Sequence, residues 1–294
     1  MVPGMKPGWY FVTFVDLLGQ RGKLAQFKEN APKTAEEITA FDRTLAETAG
    51  VVRNVRDSIA RWLESARNLN EDTLARVPSE RREEFKNIIT PATFQSGFSD
   101  SFVVSFPMQA PGIEERLSRA RAVFDLWQTL LGLSVYSVES LAQGIPWRGG
   151  IDVGLGMRLY PNEIYGPVLA SAYQLESKVA EFPRLVVGRG LLDYLTFVEH
   201  LPHTEPLDLF ASQQAKACRN FIVGSDDGWP MLHILSEAVR RAPTNSIERA
   251  RVASDWIGRQ VIEHWKAKDE KLYRRYSRLN AYFKGALAQQ SHSQ

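Results

Sequence analysis

Two aspartates stand where chemistry could be done. Asp16 closes the apolar run "YFVTFVDLLG" (residues 10–19), and Asp100 lies in "FQSGFSDSFVVSF" (residues 94–106), 84 positions further on. The first run is aromatic and β-branched and reads as a buried strand, where a carboxylate is costly unless something positive meets it. Two carboxylates brought side by side repel, and each has a raised pKa unless a cation lies between them. A Mg2+ or Mn2+ ion meets that need, because such hard ions take one or two carboxylates together with phosphate oxygens of a substrate. Two ions held in this way activate a hydroxyl and stabilise a leaving phosphate. The plain alternative is that Asp16 caps the following turn and Asp100 is an ordinary hairpin residue, aspartate being common in turns.

The elements that must position these acids follow from periodicity. Residues 9–18 read as the first strand. Ile38, Phe41, Leu45, Val52, Val55, Ile59, Trp62 and Ala66 then recur at spacings of three and four, with Thr48 interrupting the seam. That spacing predicts an amphipathic helix, with start signals at residues 30–34 and stop signals at 68–70. The charged "SERREEFK" after Pro78 reads as a shorter, solvated helix. Strand character returns at "ATFQSGFSDSFVVSF", where small polar residues predict a hairpin around Gly97 to Ser101 with Asp100 in or beside the turn.

A second long helical pattern covers residues 113–143, and "WRGGIDVGLGMRLY" reads as a strand with several glycines. Ile164, Val168, Ala172, Leu175 and Val179 give a helix over 163–180, and "RLVVG" is a short buried strand. The order β, α, β, β, α, β, α, β predicts an α+β fold, an antiparallel-rich sheet covered by helices on one face. In a ferredoxin-like sheet of this kind the first strand and the hairpin strands are neighbours, which would bring the two acids together. From about residue 190 the pattern is mainly helical, with a hairpin at "FIVGSDDGWPML" and one long helix from 246 to 286. The expected division is a domain over 1–190, carrying a helical insert at about 33–88, and an extension over 191–294.

Composition narrows the classes. At 294 residues, 44% hydrophobic and 24% charged, the chain is that of a folded protein. A formal charge of +2 gives no broad electrostatic case for nucleic acid or an anionic membrane. The single cysteine, Cys218, cannot form a disulfide within the chain, so a reducing compartment fits. No apolar run approaches the ~18 residues of a membrane span. The start lacks the layout of a cleavable leader. The expected location is the cytoplasm.

Other candidate groups have simpler explanations. Asp226 and Asp227 in "SDDGW" fit a D-G hairpin turn. His200, His203, His233, His264 and His292 are scattered, and "VGLGMR" is a lone GxG that close strand packing explains as well. The basic aromatic stretch "HWKAKDEKLYRRYSR" suits a solvated helix face.

Four segments read together resemble the class III nucleotide cyclases. "FVDLLG" is similar to their F-x-D-I-x-G opening, and "FSDSFVVSF" to their second metal-binding hairpin, where glycine usually precedes the aspartate. "RGGIDVG" is similar to their R-x-G-I-x-x-G strand. "IYGPVLASAYQLES" is similar to the helix that opens on an aromatic-Gly pair and closes on Leu-Glu-Ser. The four lie in family order across residues 9–190.

The resemblance implies a ferredoxin-like catalytic domain working as a head-to-tail homodimer with sites at the subunit interface. It implies that Asp16 and Asp100 hold two Mn2+ or Mg2+ ions. The backbone of Leu17, Leu18 and Gly19 would lie near the metal and the triphosphate, with the Leu17 carbonyl a further ligand. The implied reaction is attack of a ribose 3′-hydroxyl on the α-phosphate, releasing pyrophosphate.

The sequence departs from the family in its helix and its base-reading positions. Ala170 stands at the position of the ribose-orienting asparagine and Gln174 at that of the transition-state arginine. Arg148 and Arg158 are the candidates to supply the missing charge, Arg148 also being explicable as a structural strand-end residue. Ser96 and Glu163 occupy base-reading positions and do not suit the adenine pattern. The helical insert between the acids, together with "YPNEIYG", resembles bacterial pyrimidine cyclases of phage-defence signalling. That implies UTP, ahead of CTP, as substrate. A purine cyclase, or a cyclase-like module that binds nucleotide without turnover, are the alternatives.

Overall fold

The computed structural model describes residues 7–19, 27, 32–65, 71–88, 93–96, 100–110, 112–160, 163–242 and 246–288. Its central strand is β1 (Pro7–Leu17), whose alternation divides its side chains between two cores. Phe11, Val15 and Leu17 face the larger one, while Tyr10, Val12 and Phe14 face the smaller. α1 (Ala35–Ser65), α2 (Glu71–Ala75) and α3 (Arg82–Asn87) separate β1 from β2 (Thr93–Ser96) and β3 (Ser101–Pro107). α4 (Glu115–Ala142) leads to β4 (Trp147–Tyr160). The strands stand in the order β2-β3-β1-β4, every pair antiparallel. This βαββαβ arrangement is the ferredoxin-like core that the pattern predicts.

The sheet continues through β6 (Leu185–Val187), parallel to β4, then β8 (Pro230–Leu232) and β7 (Ile222–Gly224). Residues past 190 therefore extend the same sheet. They also supply α6 (Arg189–Glu199), α7 (Pro206–Arg219), α8 (Glu237–Arg241), α9 (Ser246–Lys266) and α10 (Glu270–Ala288).

Helices cover both faces, not one. α4 lies on the Phe11 face, where Phe11 stacks on Phe106 at 4.8 Å. α5 (Pro167–Gln174) lies on the other, seated by Val168 and Ala172. Glycines in β4 permit that approach. A Cβ at Gly150 would fall 2.2 Å from the Ala172 carbonyl oxygen and 2.6 Å from the Leu175 side chain.

Three expected boundaries shift for local reasons. The helix over 163–180 starts only at Pro167. Glu163–Tyr165 forms β5, paired with β4, and Gly166 at φ 128° breaks the chain direction before proline opens the helix. Past Gln174 it widens into a π-turn over Leu175–Val179. The single helix over 246–286 is two. Lys268 at φ 57° ends α9, and the Asp269 carboxylate accepts from the Leu272 N–H at 3.0 Å to start α10. The solvated segment at 79–86 carries one fully buried ring, Phe85, set edge-on to Phe124 and Phe210.

The start of α1 follows its sequence signals. Thr34 Oγ1 accepts from the Glu37 N–H at 3.2 Å, and Glu37 Oε2 accepts from the Thr34 N–H at 3.0 Å, a reciprocal capping box. The apolar stripe is only partly covered: Val52, Ile59 and Leu63 are buried, whereas Ile38 and Leu45 are exposed.

The β7–β8 turn is more than a turn. Asp227 accepts from buried Arg184 at 3.0 Å and pairs with Arg278 of α10 at 3.0 Å. Both guanidiniums lie over the Phe182 ring, at 4.4 and 4.6 Å. The Arg184 hydrogen bond holds the Asp227 carboxyl well below the usual carboxylate range. A depressed folded pKa contributes stability that is present above the ordinary Asp value of ~3.9 and is lost as pH falls through the folded one. Asp227→Asn should thus cost about 3 kcal/mol at pH 7 by stranding buried Arg184. The difference from wild type should shrink below about pH 4 in thermal melts, and a pH-independent gap would contradict this linkage.

Candidate active site

Register brings the two aspartates to one end of the sheet. Asp16 stands opposite Ser101 on β3 and opposite Arg148 on β4. The Leu17 N–H donates to the Asp100 carbonyl at 3.1 Å, so the two acids are backbone neighbours. Asp100 is 2% exposed, and the Asp16 side chain 15%. Beyond them the chain turns at Leu18, whose N–H donates to the Pro146 carbonyl at 2.8 Å, and at Gly19, which takes φ 86°. Only glycine adopts that angle without strain.

Among the described residues two arginines reach this end of the sheet. Arg148 Nη2 lies 3.7 Å from Asp16, and its Nε lies 2.7 Å from the buried carboxylate of Glu176. Glu176 sits in the π-turn directly after α5, two residues past Gln174, and holds Arg148 from there. The second is Arg56 of α1. Its Nη2 donates to the Ser101 carbonyl at 2.6 Å. Partial burial lowers its pKa, and the Asp100 charge beside it raises it in part. Three carboxylates, those of Asp16, Asp100 and Glu176, therefore share this end of the sheet with two guanidiniums.

The other sequence candidates separate. Ala170 and Gln174 are exposed on α5, Gln174 at the end nearer Glu176. Ser96 pairs through its backbone with Phe102, one residue past Ser101. Arg158 pairs with Ile164, and Glu163 with Tyr160, at the opposite end of β4. Arg158 lies ten residues past Arg148 on that strand, about 33 Å at strand rise. Of these two arginines it is Arg148 that adjoins Asp16 within one chain.

A hard divalent ion suits this donor set. Carboxylates are donors of the type that such an ion takes together with water and phosphate oxygens. Among the described residues no group of three or more His, Cys, Asp or Glu is placed to hold a metal by itself. Asp16, Asp100 and the Leu17 carbonyl would be the holders.

The seat of α5 depends on a third buried acid. Asp152 of β4 accepts from the Ser171 hydroxyl at 2.5 Å, the Leu191 N–H at 3.1 Å and its neighbour Val153 at 2.9 Å. It ties α5 and the start of α6 to the sheet. Sequence reasoning missed Asp152, Glu176 and Arg56. A signal existed for Arg56: it falls four residues after Val52 and three before Ile59, inside the apolar stripe, where a cation needs an anion or carbonyl.

No family model matches the chain, and no curated protein matches it. Among solved structures it is similar to one described as a class III adenylyl cyclase-like ATP-binding protein from Pseudomonas aeruginosa. The identity is 12% and the TM-score 0.41, over 88% of this chain and 44% of that one. The matched part is thus less than half the length of that protein. No helix among the described residues is long and apolar enough to cross a membrane.

Proposed function

We propose that this chain is a metal-dependent nucleotide cyclase that converts a pyrimidine nucleoside triphosphate, UTP in preference to CTP, to the 3′,5′-cyclic nucleotide and pyrophosphate. It acts as a cytoplasmic homodimer with sites at the subunit interface, and its product serves as an antiphage second messenger. The observation that carries the reading is the β1–β3 register, which makes Asp16 and Asp100 neighbours at a strand end that opens into a glycine turn. The four ordered motifs and the β2-β3-β1-β4 core support it.

The residues divide the work. Asp16 and Asp100 would hold two Mn2+ or Mg2+ ions, and the chemistry those ions would supply when bound is activation of the 3′-hydroxyl and neutralisation of phosphate charge. In the turn after β1 it is the Gly19 N–H that would meet a phosphate oxygen, the Leu17 and Leu18 N–H groups being engaged by the Asp100 and Pro146 carbonyls. Arg148, kept in place by Glu176, faces the phosphates as charge develops on the leaving pyrophosphate. Gln174, at the end of α5, lends a neutral amide where the family has a cation, which lowers the attainable rate. Arg158 and Glu163 belong to the opposite end of the sheet and act only if a second copy presents them.

A second reading, nucleotide binding without turnover, is favoured by the arginines standing beside both acids and by Gln174. Incubation with each of the four NTPs and Mn2+ separates the readings. Pyrophosphate and cyclic product are expected from UTP first. Product from ATP or GTP alone would move the assignment to a purine cyclase. Bound nucleotide without product from any of the four would establish the non-catalytic module.

A further inference from the structure

Arg56 belongs to the segment inserted between β1 and β2, outside the four motifs. Its place in the buried stripe of α1 turns it toward the sheet, and its guanidinium donates to the Ser101 carbonyl at 2.6 Å, next to Asp100. A fixed cation beside a carboxylate does two things. It stabilises the ionised acid, and it repels any second cation that approaches.

We infer that Arg56 is a positioning residue that fixes the Asp100 turn and competes with a divalent ion for the Asp100 carboxylate, so that α1 sets how readily the site loads metal. This rests on the reading of Asp16 and Asp100 as metal ligands. The helix is suited to such a part. Four of its thirty-one residues are buried, and its first half leaves Ile38 and Leu45 exposed. A displacement of the Arg56 turn of this helix would withdraw the guanidinium and leave Asp100 to the metal.

The test is Mn2+ binding to the full chain without nucleotide, read by electron paramagnetic resonance of the free ion. Arg56→Gln should bind Mn2+ about tenfold more tightly than wild type, because a like charge is gone. A residue that merely braces the turn would give the opposite sign, so unchanged or weaker binding in Arg56→Gln overturns the inference. Arg56→Lys keeps the charge but shortens the reach to Ser101, and should bind within about threefold of wild type. Weakening beyond that would overturn the inference without recourse to the glutamine variant. Asp100→Asn should lose Mn2+ at least tenfold, and should abolish the effect of Arg56→Gln in the double variant. Undiminished binding in Asp100→Asn refutes the metal-ligand reading itself. Lost binding there with no effect of Arg56→Gln refutes only the part assigned to Arg56.

Discussion

Asp100→Asn should lower pyrophosphate release from the preferred nucleotide at least about a thousandfold while the protein stays folded. The substitution keeps shape and volume at a residue that is 2% exposed, so packing around the β3 turn is preserved. What it removes is the charge that would hold the cation against the phosphates. Electrostatic groups aimed at developing charge each account for about a hundredfold to a thousandfold in rate, and loss of a metal ligand removes the group they act with. Asp16→Asn should behave alike if it holds the same cation, its backbone lying beside that of Asp100. Thermal melts of both variants should stay within a few degrees of wild type. Turnover within tenfold of wild type in either variant would remove these acids from the chemistry.

Gly150→Ala should destabilise the protein by about 3 kcal/mol or more, at the upper end of the cost of overpacking. The added methyl meets the Ala172 carbonyl at 2.2 Å and the Leu175 side chain at 2.6 Å, and the carbonyl is backbone that no rotamer change can move. α5 must then lift from β4 and carry Gln174 and the Glu176 turn away from Arg148. At this chain length the melting temperature should fall by roughly 5 °C or more. The proposed cyclase activity should drop with it even below the melting range. A variant that melts with wild type would show that α5 has another seat.

Much of the core was legible because its strands announce themselves. The aromatic and β-branched run over residues 9–18, with no helical period, gave β1, and the order of patterns gave a ferredoxin-like sheet without any long-range information. Nearness of Asp16 and Asp100 followed from that topology. The pairing of Arg148 with Glu176 did not, because it depends on a π-turn that widens the end of α5, and no periodicity reports such a widening. The break at Lys268 was hidden for a related reason. The apolar period runs through α9 and α10 alike, and one residue at positive φ folds them into a hairpin. Glu163 to Tyr165 matched a helical face by spacing, yet Gly166 and β4 together claim them as strand. Arg158 was grouped with Arg148 as a like residue on one strand, and a ten-residue extended span separates them.

The order of the strands has a consequence for synthesis. When the ribosome has delivered only the first 190 residues, β6 is the outermost strand on its side of the sheet, with one row of backbone groups unsatisfied. The strands that will cover it, β8 and β7, come some forty residues later. For that interval the nascent chain presents a bare edge able to pair with its neighbours on the same message. The Phe182 clamp closes later still, when Arg278 emerges.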